Sequence, residues 1–218
     1  MSNTKKIAVL GSGVVGKTLA DGFLKFGYEV MRASRETDKL AEWKASAGAG
    51  AAVGTFAEAA KWGDLVVLAV KGTAAESALT LAGVDNLAGK TVLDATNPIA
   101  DAPPVNGVLQ YFTGPNDSLM ERLQKQAPAA HFVKAFSCVG NAFMISPNFG
   151  GQKPTMFICG DSAEAKAETT ALLDQLGWET ADMGAVTSAR AIEPLCILWC
   201  LPGLRGGSWT HAFKLLKL

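Results

Sequence analysis

Two hydrophobic periods alternate along the chain, and the alternation predicts its architecture. Ile7-Ala8-Val9-Leu10 is a continuous apolar run, as a strand buried on both faces requires. Leu19, Phe23 and Phe26 then recur at helical spacing, predicting a helix over 14–26 that stops at Gly27. A second strand is expected over 28–33, a helix with a solvated face over 37–47, and a short strand over 51–55. Thr55 is placed to cap a helix over 56–62, and the apolar run 65–70 reads as a buried central strand ended by Lys71-Gly72. A helix opening at or beside Thr73 runs to about Leu81, and a fifth strand over 91–95 stops at Thr96-Asn97-Pro98. Residues 101–115, rich in Pro, Gly and Asn, read as surface loop.

Next come an amphipathic helix over 118–127, a sixth strand over 131–136, and an aperiodic stretch over 137–151. A seventh strand is expected over 154–159. Asp161-Ser162-Ala163-Glu164 has the spacing of an acidic capping box opening a helix to Leu176, and one more strand fits 178–183. The last helix spans 187–199, with Pro194 kinking or breaking it, and Pro202-Gly203 and Gly206-Gly207 punctuate the tail. The expected fold class is α/β: a Rossmann-type, doubly wound, mostly parallel sheet. It forms one domain over 1–218, of which about 150–218 is a small C-terminal α/β extension that completes a pocket and offers a dimer surface.

The chemistry begins where the first strand meets the first helix. Gly11-Ser12-Gly13-Val14-Val15-Gly16 has the pattern G-x-G-x-x-G. The first glycine allows the tight turn, the second lets backbone approach a pyrophosphate, and the third lets helix lie against strand. Strand, turn, helix and second strand fall at the spacing of a dinucleotide site, with phosphates at the helix N-terminus. An NAD-specific site carries Asp or Glu at the end of the second strand, whereas this chain has Arg32-Ala33-Ser34-Arg35, with Lys39 one turn later. Ser34 and Arg35 suit the 2′-phosphate of NADP. Val70 and Lys71, with Asn97 and Pro98, end the two central strands and are the expected floor and wall of the ribose and nicotinamide pocket.

Composition narrows the rest. Hydrophobic residues make up 49% and charged residues 18%, and twenty basic residues balance twenty acidic ones. This composition argues for a globular chain without nucleic acid or an anionic membrane as principal partner. No signal peptide and no spanning segment is read, so the chain is expected to be cytoplasmic. Cys138, Cys159, Cys196 and Cys200 form no C-x-x-C pair, and His131 and His211 lack supporting spacing, so no metal site is expected. Arg190 and Glu193, three apart, are placed to pair with each other. No nucleophile, histidine base or carboxylate pair stands out, so no catalytic residue is assigned.

The runs over 7–16, Ser34-Arg35, Asp94 to Pro98, Val133-Lys134-Ala135-Phe136 and Ser188-Ala189-Arg190-Ala191-Ile192-Glu193 together resemble the NADP oxidoreductases dependent on coenzyme F-420, a deazaflavin. They also resemble the cytosolic oxidoreductase domain of the six-transmembrane ferric reductases, whose membrane half has no counterpart in this sequence. The resemblance covers essentially the whole chain. It implies that Gly11 to Gly16, Ser34, Arg35, Val70, Lys71, Asn97 and Pro98 contact NADP. It also implies that a flavin-like ring, deazaflavin or flavin, docks on the nicotinamide near the loop after Phe136 and the C-terminal segment. The expected acceptor pocket is Ser137, Cys138, Val139, Gly140 and Asn141, covered by Gly207 and Trp209, with Gly140 the closest point of contact. The expected activity is hydride transfer between NADPH and that small-molecule acceptor by a homodimer. The alternatives are a non-catalytic NADP sensor and a reductase of small carbonyls or imines.

Overall fold

The computed structural model describes residues 5–217. The nucleotide-binding half alternates β1 (Lys6–Leu10), α1 (Val14–Lys25), β2 (Glu29–Ala33), α2 (Ala41–Ser46), β3 (Ala51–Gly54), α3 (Phe56–Trp62), β4 (Leu65–Leu68), α4 (Ala75–Ala82) and β5 (Thr91–Asp94). After a long connection come α5 (Leu119–Gln126), β6 (His131–Lys134), β7 (Thr155–Ile158), α6 (Ala163–Gln175), β8 (Glu179–Asp182), α7 (Ala189–Ile192) and α8 (Leu195–Gly206). Six strands form one parallel sheet in the order β3-β2-β1-β4-β5-β6, which is the doubly wound Rossmann arrangement. The order reverses between β1 and β4, opening a crevice at their carboxyl ends.

Helices cover both faces because the central strands are apolar on both. On one face Val9, Val67 and Val133 pack with Leu19 and Phe23 of α1 and Leu172 and Leu173 of α6. On the other, Ala8, Val66 and Val92 pack with Ala59 of α3, Leu79 of α4 and Leu123 of α5. β7 and β8 do not extend this sheet. They pair in parallel with each other, and β7 reaches the main sheet through a single antiparallel bridge, Lys134 to Cys159.

Of the two helix caps expected, one forms as expected and one does not. Thr55 caps α3 through a reciprocal box: Glu58 N–H donates to Thr55 Oγ1 at 3.3 Å, and Thr55 N–H donates to Glu58 Oε2 at 2.7 Å. The expected box at 161–164 is different. Ser162 is the cap, accepting from Ala165 N–H at 3.1 Å, and Asp161 accepts instead from the distant Val186 N–H at 2.9 Å. The expected helices over 37–47 and from Thr73 each open with a 3₁₀ turn, Thr37–Leu40 and Gly72–Ala74.

The C-terminal reading needs a larger correction. Pro194 breaks the helix, and α8 continues to Gly206 with Pro202 inside it. Pro202-Gly203 therefore lies within a helix rather than punctuating the tail, whereas Gly206-Gly207 does mark an end. A Cβ on Gly203 would lie 2.2 Å from the Trp209 indole, so this glycine lets the ring fold back on the helix. Gly207 closes α8 with φ +77°.

Candidate functional site

The glycine turn is built by contacts that leave its outer side free. Gly11 N–H donates to Ala33 O at 3.0 Å, and a Cβ on Gly11 would stand 2.3 Å from Ala69 O, at a φ of +153°. A Cβ on Gly16 would meet Gly11 O at 2.5 Å, which is the tight approach of helix to strand. A Cβ on Gly13, by contrast, would meet nothing within 4 Å. Gly13 is also the N-cap of α1, which has no side-chain cap and no acidic residue in its first turn. The free N–H groups of that turn and the space beside Gly13 fit a pyrophosphate. Val14 is exposed here and Val15 packs inward.

Ser12, Gly13, Ser34, Arg35, Lys39, Val70 and Lys71 line one cleft of ≈ 270 Å³ over the carboxyl ends of β1, β2 and β4. The structure thus brings together seven of the residues expected to hold the dinucleotide. Ser34 is nearly buried, and its Oγ accepts from Glu36 N–H at 3.3 Å, leaving its own proton to donate. Lys39 Nζ pairs with Glu36 at 3.0 Å, while Arg35 is exposed. Lys71 is ion-paired with Asp101, which holds the loop beyond β5 against the end of β4.

Asn97 and Pro98 stand beside this cleft. A Cβ on Gly72 would lie only 1.9 Å from Asn97 O, so the two strand ends are in direct backbone contact. The buried Asn97 Oδ1 has no hydrogen-bond partner. Beneath them lies a cluster the spacing did not reveal. Lys134, fully buried, donates to Thr96 O at 2.9 Å and pairs with Asp94 Oδ2 at 2.6 Å and Glu193 Oε1 at 3.0 Å. Glu193 also accepts the first N–H groups of α5, Leu119 and Met120, at 3.0 Å each. The expected Arg190–Glu193 pair does not exist: Arg190 instead grips Glu121 through Nε at 2.9 Å and Nη2 at 2.7 Å. Glu193, just past the end of α7, is buried, whereas Arg190 within it is exposed.

The expected acceptor residues are placed together, but differently from their reading as open backbone. Chain direction changes at Phe136, whose φ of +62° is left-handed, a strained conformation for a bulky aromatic. Ser137, Cys138 and Val139 are buried. Burial pushes the Cys138 thiol up to about 11, which marks it as a packing group rather than a nucleophile. Gly140 does not face open space, since a Cβ there would lie 2.4 Å from the Trp199 indole. Asn141 starts a 3₁₀ turn. Trp199 in turn contacts Trp209, centroids 5.5 Å apart, and stacks on His211 at 5.0 Å. Two hydrogen bonds of 2.9 Å, from Trp199 Nε1 to His211 O and between His211 Nε2 and Trp199 O, lock that pair. The loop after β6 and the C-terminal segment therefore meet through Trp199.

Residues 6–98 match the family described as NADP oxidoreductase, coenzyme F420-dependent. Over 98% of its length the chain is also similar to all of the solved structure of a protein described as a candidate F420-dependent NADP-reductase from Arthrobacter sp. FB24, at 32% identity and a TM-score of 0.90. The chain belongs to this family. It is an NADP-dependent oxidoreductase. The family's likeness extends to the metalloreductase STEAP3 of Rattus norvegicus, 32% identical over 204 residues. That match takes in 91% of this chain, which spans 38% of the rat protein's length. A reductive aminase from Aspergillus terreus, solved with NADPH and ethyl levulinate, shares the fold at 22% identity and a TM-score of 0.68. It covers 94% of this chain, which covers 64% of the aminase. Among the described residues no helix is long and apolar enough to cross a membrane, and no group of three or more His, Cys, Asp or Glu is placed to hold a metal.

Proposed function

We propose that the protein transfers a hydride between NADP(H) and a flavin-like acceptor, a deazaflavin or a flavin. The observation that carries this reading is the end-to-end match with the Arthrobacter candidate F420-dependent NADP-reductase, which takes in the C-terminal segment as well as the nucleotide half. Bound NADP(H) supplies or takes up the hydride. The chain's own residues bind, orient and shield. Gly13 and the first turn of α1 hold the pyrophosphate, Ser34, Arg35 and Lys39 the 2′-phosphate, and Val70, Lys71, Asn97 and Pro98 the ribose and nicotinamide. The acceptor ring docks beyond Asn97-Pro98 with the exposed Trp209 as its apolar cover, the loop 137–141 behind that cover and Gly207 as its hinge. Such a transfer requires alignment at about 3–3.5 Å rather than an acid or base. The test is stopped-flow oxidation of NADPH with a deazaflavin, FAD, FMN and ferric chelates offered in turn. Fast transfer to a flavin-like ring is expected, and no transfer to any acceptor would favour a nucleotide sensor.

For the cofactor, NADP is expected to bind more tightly than NAD. Arg35→Ala should lose roughly tenfold to a hundredfold in NADP affinity, since a charge-assisted bond to phosphate contributes about 1.5–3 kcal/mol. Calorimetric titration of both nucleotides checks this, and equal wild-type affinities would overturn it.

We also propose a homodimer through α8, on a narrower surface than the sequence suggested. Ile192, Cys196 and Trp199 are turned into the chain's own core, whereas Leu198, Leu204 and the nearby Val105 and Val108 stay exposed. A dimeric mass by light scattering at micromolar concentration is expected, and a monomeric mass would contradict it.

A further inference from the structure

Arg32 is a charged residue in an unusual place. It belongs to β2 and is only 2% exposed, yet no carboxylate pairs with it among the described residues. Its Nη2 makes two long contacts with the glycine turn, to Gly13 O at 3.3 Å and Gly11 O at 3.5 Å. Its Nε is buried without a partner. The guanidinium lies over the Trp43 ring, with Cζ 4.9 Å from the ring centroid. Asp21, whose charge acts on Arg32, is engaged elsewhere. Its Oδ1 accepts from Trp43 Nε1 at 2.6 Å, and its Oδ2 from Lys17 Nζ at 2.6 Å.

A buried cation with no carboxylate in direct contact, and only the shared charge of Asp21 nearby, is costly to hold in place. Bracing two carbonyls of the turn does not require a charge. The surroundings indicate where an anion would come from. Arg32 lines the base of a second, open cleft of ≈ 490 Å³, which shares Ser12, Gly13 and Lys39 with the dinucleotide cleft. Ser34, whose hydroxyl proton is free for a phosphate, follows two residues later on the same strand edge.

We infer that Arg32 is a further specificity residue, a buried guanidinium that takes the 2′-phosphate of NADP as its counter-ion. The inference rests on the NADP reading given above. Arg35 and Lys39 then meet that phosphate from the solvent side, and Arg32 meets it from below, over the Trp43 ring. Desolvation around Arg32 strengthens its attraction relative to that of an exposed arginine.

Arg32→Gln removes the charge and leaves a shorter polar side chain in its place. Calorimetric titration with NADP⁺, NAD⁺ and 2′,5′-ADP is expected to show roughly tenfold to a hundredfold weaker binding of the two 2′-phosphorylated ligands. NAD⁺ affinity should stay within about twofold, because that ligand never used the charge. Arg32→Lys should keep most of the preference for NADP⁺ over NAD⁺. Equal weakening of NADP⁺ and NAD⁺ in Arg32→Gln would reduce Arg32 to a brace, and unchanged binding would remove it from the site. If Arg32→Gln fails to fold, loss of the preference in a folded Arg32→Lys would also overturn the inference, and its retention would support it. Absence of any NADP⁺ preference in the wild type would instead overturn the cofactor reading beneath it.

Discussion

Replacing Lys134 with methionine is expected to lower the free energy of unfolding by about 3–5 kcal/mol, because it leaves two carboxylates in the core without their cation. Asp94 and Glu193 both point at the Lys134 ammonium, and no water-exposed surface lies near it. Urea unfolding of Lys134→Met beside a surface control, Lys25→Met, measures the difference. A loss below about 1 kcal/mol would contradict this expectation. Burial pushes the Lys134 pKa down, but Asp94 and Glu193 outweigh it, so the folded value lies above the ordinary one. A raised lysine pKa contributes stability that is complete below the unfolded value of about 10.4 and is lost as pH rises through the folded value. This lysine therefore adds no pH dependence near neutrality. Its share of stability disappears only in strong alkali.

Gly72→Ala is expected to slow hydride transfer far more than it weakens NADP binding. A Cβ there must push back Asn97 O, a main-chain atom 1.9 Å away that has no free rotation to escape by. Asn97 and Pro98 move together, and both are proposed to seat the nicotinamide. A displacement near 1 Å at a reacting ring costs on the order of a hundredfold in rate. Ser34 and Arg35, proposed to hold the 2′-phosphate, follow a different strand, β2. Single-turnover rates with parallel binding titrations separate the two effects. Unchanged transfer would show that Asn97 and Pro98 do not position the ring.

What the sequence showed and what it hid divide by distance along the chain. The glycine turn, the apolar strands and the Thr55 cap were legible because their partners lie within a few residues or repeat with a fixed period. Lys134 was visible only as a lysine in an apolar run, since its partners Asp94 and Glu193 lie far off in sequence. For the same reason Arg190 and Glu193 looked like a local pair, while the fold gives them to Glu121 and Lys134. Pro202 and Gly203 read as a stop signal because a proline normally ends a helix. The ring of Trp209 fills the place that Gly203 leaves, and this tertiary contact outweighs the local rule. The burial of Arg32 was illegible too: strand position implies a face but not the absence of a carboxylate in direct contact.

The bond from Glu193 to the first turn of α5 also sets an order of events during synthesis. A ribosome adding about 5–20 residues per second delivers Glu193 several seconds after Lys134 has emerged. Until then Lys134 has Asp94 alone, and the N–H groups of Leu119 and Met120 have no carboxylate to meet. In that interval the junction of β6 with the first turn of α5 lacks the carboxylate that joins them. A chain released early, before α7 is made, would carry the whole glycine turn but not the carboxylate that ties Lys134 to the start of α5.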